Sequence, residues 1–149
     1  MEINPQAPLI ARKHVFIQAP PQVVWKIQTD INNWSRWQPD ITASSLDSSL
    51  IVGSVFRWKS GRLNVTSTIQ VISPSQEMGW IGRALGAHAE HVWRLTPQDS
   101  GTLVTTEESM EGWPIRLMKF INPKFLDDSL DTWLHSLKTQ AEKRLQTGS

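Results

Sequence analysis

Two histidines and two adjacent glutamates carry most of the chemistry this sequence could offer. His88 and His91 lie three apart in a segment rich in strand formers. Side chains on a strand alternate between faces, so the two point opposite ways and cannot share a metal ion. His91 has the parity of Trp93 and Leu95. If that face is the inner one, His91 is placed as a hydrogen-bond donor or general base, a task suited by an ordinary pKa near ~6.5. The alternative is a histidine that serves only strand pairing or the surface. Glu107 and Glu108 are neighbours on another strand, so they cannot form the facing carboxylate pair of a glycosidase. Glu108 shares parity with Val104, Thr106 and Met110. Turned inward, it would need a cationic partner, for which Arg57 and Arg83 are available; the alternative is a salt bridge on the sheet surface. His14 and His135 read as surface residues, His135 lying four residues after Asp131 on a helix.

Other chemistries are excluded by residue type. There is no cysteine, so disulfides, thiolate zinc sites and cysteine nucleophiles are ruled out. No serine sits in a Gly-x-Ser-x-Gly elbow, and no glycine-rich phosphate loop is present. No cofactor and no metal is expected. The catalytic candidates reduce to His91 and Glu108, which do not make a complete catalytic machine.

The aromatic set is unusual, with eight Trp, four Phe and no Tyr. An indole is bulky and its N–H wants a partner when buried. A tryptophan-rich core accounts for any one of these residues. For the set, a cavity competes, because large flat side chains can line a space without filling it. Phe56 and Trp58 share one face of a strand. Trp34, Trp37, Trp80 and Trp113 lie near the ends of elements, so core and cavity rim are both open for these six. Trp93, Met110, Met118, Ile121, Phe125 and Trp133 complete the candidate ligand-binding set, together with His91.

These residues must be positioned by the elements around them. Arg12–Gln18 reads as a strand stopped by Pro20 and Pro21. The prolines suit the start of a short helix to about Thr29. Asp30 opens a second short helix that ends before Pro39 and puts Trp34 and Trp37 on one face. Strands follow at Ile41–Asp47, Ser54–Lys59, Arg62–Ile72, Glu77–Ala84, Ala87–Thr96 and Gly101–Met110, separated by turn signals that suggest an antiparallel meander. Ile115–Ile121 reads as helical, and Asn122-Pro123 breaks it. The last helix, about Lys124–Gln146, carries an apolar stripe of Leu126, Leu130, Trp133, Leu134, Leu137, Ala141 and Leu145. Its acids lie early and its bases late, which complements the helix dipole. Segregated strands and helices predict an α+β domain with the last helix covering the sheet.

Length and charge bound the rest. The 149 residues fit a single domain, 1–149, able to build one core. Fifteen Lys and Arg balance fourteen Asp and Glu, with no basic stripe, so no nucleic-acid partner is expected. The first residues lack the basic and apolar runs of a secretory signal. No apolar stretch approaches the ~20 residues of a transmembrane segment. A cytoplasmic protein, monomer or homodimer, is expected, and the lack of cysteine fits a reducing compartment.

Several segments carry a resemblance. They are Val15-Phe16-Ile17-Gln18-Ala19-Pro20-Pro21-Gln22-Val23-Val24-Trp25, Asn33-Trp34-Ser35-Arg36-Trp37-Gln38-Pro39-Asp40 and Gly53-Ser54-Val55-Phe56-Arg57-Trp58. Trp93-Arg94-Leu95-Thr96-Pro97 and Gly101-Thr102-Leu103-Val104-Thr105-Thr106-Glu107-Glu108 follow. With the element order, they resemble the helix-grip fold of the START and birch-pollen-allergen (SRPBCC) superfamily. Within it, residues 10–146 look most like the polyketide cyclase/dehydrase and lipid-transport family. The resemblance implies a curved sheet of about seven strands around the last helix. It also implies a deep cavity between them, entered near the short helices and loops. Members bind lipids, hormones or polyketides, or cyclise aromatic polyketides, and fold alone does not choose. The expectation is a binder of a small hydrophobic molecule. The alternative is a cyclase, dehydratase or aromatase that acts by positioning plus one acid or base. A second alternative is a protein-interaction module. That reading would be favoured by a broad exposed apolar patch, which the sequence does not show.

Overall fold

The computed structural model describes residues 1–146; the last three residues of the expected 1–149 domain lie outside the described residues. The elements are β1 (Leu9–Ile17), α1 (Pro21–Gln28), a 3-10 helix (Ile31–Arg36), β2 (Ile41–Leu46), β3 (Val55–Ser60), β4 (Leu63–Ser73), β5 (Glu77–Ala84), β6 (Ala87–Gln98), β7 (Gly101–Glu111), α2 (Trp113–Ile121) and α3 (Phe125–Gln146). Among the described residues, seven strands form one antiparallel sheet in the order β1-β7-β6-β5-β4-β3-β2. Strands β2 to β7 are a meander, and β1 returns to pair with β7 from Leu9↔Met110 to Ile17↔Thr102. The sheet is curved, and bulges interrupt its register at Ile41/Ala43 and Ile69/Val71. Bulges bend a strand and increase its twist.

The buried stripe of α3 is Leu126, Leu130, Trp133, Leu134, Leu137 and Ala141, at the helical steps of three and four that the sequence shows. It packs across β1 and α1. Leu145, read as part of that stripe, is exposed, because the last turn runs past the end of the sheet's cover. At the opposite edge, the 3-10 helix caps β2. Asn32 Oδ1 accepts from Leu46 N at 2.8 Å, and Asn32 Nδ2 donates to Leu46 O at 3.3 Å. Those bonds satisfy groups that an edge strand would otherwise leave free for another chain.

The inner face of the sheet holds two separate apolar clusters. The larger contains Trp34, Phe56, Trp80, Trp93, Trp133 and their aliphatic neighbours. The smaller contains Leu9, Ala11, Ile115, Leu126 and Leu130, with Ala87, Met110 and Phe125 against it. The outer face is laced with charge: Arg94 and Arg12 both bridge to Glu107. The residues before β1 lie across this outer face, where Asn4 N donates to Ser109 Oγ at 3.1 Å. No described helix is long and apolar enough to cross a membrane.

Candidate functional site

Between the two clusters lies a cavity of about 360 Å³. Its inner wall is Trp58, Trp80 and Trp133 from the larger cluster, and Met110, Ile115 and Phe125 from the smaller. Its floor is made by small residues: Gly82 on β5, Ala87 and Ala89 on β6, and Ser129 on α3. Gly82 and Ala89 are opposed across the β5–β6 ladder, so that part of the sheet presents almost no side chain to the interior. Trp113 and Met118 of α2, with Leu63 and Leu85 at two hairpin tips, form the mouth.

Large tryptophans fill the other half of the interior. Trp34 lies at their centre, with ring centroids 5.6 Å from Phe56, 6.0 Å from Trp58, 5.7 Å from Trp80 and 5.2 Å from Trp133. Several of these contacts are edge-to-face, the favoured arrangement for aromatic pairs. The polar ends are mostly satisfied. Trp34 Nε1 donates to Gln28 O at 2.9 Å, Trp133 Nε1 to Gln28 Oε1 at 3.2 Å and Trp58 Nε1 to Ser67 Oγ at 3.0 Å. The Nε1 atom of Trp93 has no hydrogen-bond partner among the described residues.

The cavity touches Glu108, on the inner face of β7. Its directly opposed residue on β6 is His91, and His91 Nδ1 lies 3.4 Å from Glu108 Oε1. His91 sits one layer behind the cavity wall. Its ring packs 4.8 Å from Trp80, 5.2 Å from Trp93 and 5.6 Å from Trp133, measured between centroids. Burial pushes the His91 imidazole down to about 3 and the Glu108 carboxyl up to about 8. Both are therefore neutral near pH 7, and their approach is not an ion pair. Thr106 Oγ1 has one proton and two neighbours, His91 Nε2 at 2.8 Å and Val92 O at 3.1 Å. His91 Nδ1 faces Glu108 at a distance too long for a good hydrogen bond. The Glu108 proton is free to turn to a molecule in the cavity.

The neighbouring Glu107 faces the other way, as strand alternation requires. Burial pushes its carboxyl up, but hydrogen bonds and charge from Arg94 and Arg12 outweigh that and hold it below the usual range. His88 points to the outer face, 3.6 Å from Glu90.

The wall read from the sequence is corrected in several places. Trp58, Trp80, Met110, Trp113, Met118, Phe125 and Trp133 line the cavity. Trp34, Phe56 and Trp93 do not: they are wholly buried in the larger cluster, because the 3-10 helix, β3 and β6 carry them inward rather than to a rim. Trp37 is half-buried beside that cluster, outside the cavity. Ile121 is 67% exposed, on the outer side of α2. His91 is inward but behind the wall. Neither Arg57 nor Arg83 partners Glu108. Arg57 alternates with Phe56 and Trp58 and so faces out, and Arg83 is exposed at the mouth. The small residues Gly82, Ala87, Ala89 and Ser129 were not singled out in the sequence. The signal of the first three was a run of glycine and alanine at the end of β5 and start of β6, where the sheet would otherwise be filled. The sequence also shows no broad apolar patch, whereas the structure exposes Leu85, Trp113, Leu117, Phe120 and Ile121.

Comparison with known proteins adds the family and the fold. A family model described as polyketide cyclase / dehydrase and lipid transport matches residues 9–142. Among solved structures, a hypothetical protein of Helicobacter pylori is similar with a TM-score of 0.83 at 15% identity, over 92% of this chain and 90% of that one. The Zhui aromatase/cyclase of a Streptomyces species gives a TM-score of 0.79 at 14% identity, over 91% and 94%. A START superfamily protein of Mycobacterium smegmatis gives 0.75 at 14% identity, over 90% and 97%. At such identities the likeness is one of fold. No curated protein matches the sequence.

Proposed function

This chain belongs to the polyketide cyclase / dehydrase and lipid transport family, and from that premise we propose that it binds a small, mostly apolar molecule carrying one oxygen function. The observation that carries the reading is the cavity of about 360 Å³ whose apolar wall is interrupted by Glu108. That volume lies near the lower end of the range for small-molecule sites, about 300–1,000 Å³. The packed tryptophans close off the deep half of the interior, so a long chain would have to run out through the mouth. The Glu108 carboxyl, protonated near pH 7, donates to a carbonyl oxygen of the ligand. A bound ligand thereby satisfies a polar group that its apolar surroundings leave without a good partner.

The test is a titration of tryptophan emission with fatty acids, flavonoids and aromatic polyketides, since Trp58, Trp80 and Trp133 border the space. Saturable change with at least one class is expected, and Ala89→Phe, which fills the floor, abolishes it. If no ligand gives saturation, or if Ala89→Phe binds like the wild type, the reading fails.

One observation favours a second reading, an enzyme of the cyclase or dehydratase type. A carboxylic acid kept protonated at neutral pH on a dry wall is suited to deliver a proton to a departing hydroxyl. Against it, such a reaction also removes a proton from carbon. His91 is shielded behind the wall and, with its imidazole pushed down to about 3, is a weak base. Asp40 and Arg83 lie toward the mouth. Incubation with a linear polyketide separates the readings. A binder leaves the spontaneous product mixture unchanged by Glu108→Gln, whereas an enzyme loses its product with that substitution.

A further inference from the structure

The helix that connects the sheet to α3 turns its apolar side to solvent. In α2, Trp113, Leu117 and Phe120 recur at helical spacing and so form one stripe. They are 65%, 54% and 89% exposed. The buried residue of this helix is Ile115, which falls on the opposite side. Next to the stripe, Leu85 at the β5–β6 tip is 80% exposed. This is a contiguous apolar end of the molecule, beyond the singly scattered residues normal for a surface.

Its charge is one-sided. Residues 112–126 contain Arg116, Lys119 and Lys124 and no acid. Arg83 adds a fourth cation beside Leu85. All four are exposed, and none is in an ion pair among the described residues. Acids flank this segment at Glu111, which accepts a hydrogen bond from Asn4, and at Asp127 and Asp128 in the first turn of the next helix; Asp40 lies at the cavity.

We propose that this end docks on the surface of an anionic lipid bilayer. Trp113, Leu117 and Phe120 enter the headgroup region while Arg83, Arg116, Lys119 and Lys124 meet lipid phosphates. An apolar helical stripe flanked by cations is the pattern of an interfacial helix, and indole rings favour headgroup depth. The charge argues against a second copy as occupant. A two-fold contact brings each patch onto itself, setting Arg116 and Lys119 against their own mates. A phosphate surface pairs with every cation at once. Trp113 and Met118 also form the cavity mouth, so the docked molecule opens toward the membrane. The proposal is independent of the ligand reading, because it is tested on protein without ligand.

The experiment is flotation with vesicles of equal parts phosphatidylcholine and phosphatidylglycerol, beside vesicles of phosphatidylcholine alone. The wild type floats with the anionic vesicles, less at high salt. Arg116→Glu or Lys119→Glu lowers partition at least about fivefold, as expected for a surface cation near an anionic leaflet. The double variant Leu117→Asp, Phe120→Asp stays in solution, with the circular dichroism and melting of the wild type because both side chains are exposed. Wild type that ignores anionic vesicles, or a double variant that floats like it, overturns the proposal. Equal flotation with phosphatidylcholine alone overturns the anionic assignment. A concentration-dependent dimer that the double variant abolishes assigns the face to a second copy instead.

Discussion

Trp34 and Phe120 are both large aromatics on short helical segments, yet they have opposite surroundings. Trp34 is wholly buried, touches four other aromatic rings and donates to Gln28 O. Phe120 is 89% exposed. Truncating a buried aromatic removes transfer energy and leaves a cavity, so Trp34→Ala should cost about 3–5 kcal/mol. Phe120→Ala should change stability by no more than about 0.5 kcal/mol. Urea unfolding of both variants checks the pair, and a similar cost for the two would contradict the packing described. The sequence carries strand parity, and parity correctly separates Glu107 from Glu108 and aligns His91 with Trp93. It carries nothing about depth. Whether an aromatic on an inward face meets the crowded half of the interior or the open half depends on residues far away in the chain. The open half was written in the small residues Gly82, Ala87 and Ala89, where no side chain attracts notice.

At the scale of elements, hydrophobic period served well where one face meets the sheet. The α3 stripe is legible for that reason, and it ends where the sheet ends, at Leu145. The same reasoning cannot decide α2, whose apolar stripe faces out, because period reports that a helix has two sides and not which side is covered. What fixes α2 in place is its first turn. Gly112 has φ +112, and a Cβ there would lie 2.1 Å from Gly86 O, while a Cβ on Gly86 would meet the Trp113 indole at 2.5 Å. The β5–β6 tip and the start of α2 thus interlock through two glycines, and this joint holds one side of the cavity mouth. Gly53 also has positive φ, at +92, but a Cβ there would meet nothing within 4 Å. Gly53→Ala should therefore cost only the backbone strain, about 1–3 kcal/mol. Gly112→Ala should lower the melting temperature further and strip hydrogen-exchange protection from α2. Equal melting temperatures for the two variants would mean the joint does not constrain the helix.

At the scale of the whole molecule, the cavity divides the core into two clusters and leaves two buried titratable groups, His91 and Glu108, near the division. Their titrations should shape the stability of the entire fold. Glu108 moves from 4.5 when unfolded to about 8 when native. Between these values the native state holds a proton that the unfolded chain has released, so stability falls as pH rises. His91 moves from 6.5 to about 3. Between those values the unfolded chain holds a proton that the native state refuses, so stability falls as pH drops. The two slopes oppose each other from 4.5 to 6.5 and should give a plateau there. Above 6.5 the Glu108 slope acts alone, at up to about 1.4 kcal/mol per pH unit. Below 4.5 the His91 slope acts, joined by Glu107 and Glu142. For each of those two, burial pushes the carboxyl up but is outweighed: Arg94 and Arg12 hold Glu107 low, and hydrogen bonds from Lys138 and the Gln18 backbone hold Glu142 low. Their stabilisation is lost as pH falls. Thermal melts from pH 3 to 8 test this directly. Glu108→Gln should abolish the alkaline decline and turn the plateau into a rise toward pH 6.5. His91→Gln should soften the acid limb without removing the part owed to Glu107 and Glu142, and should start the alkaline decline near pH 4.5. A wild type equally stable at pH 6.5 and pH 8 would place the Glu108 carboxyl in water, not on a dry wall, and would remove the polar contact on which ligand binding is proposed to turn.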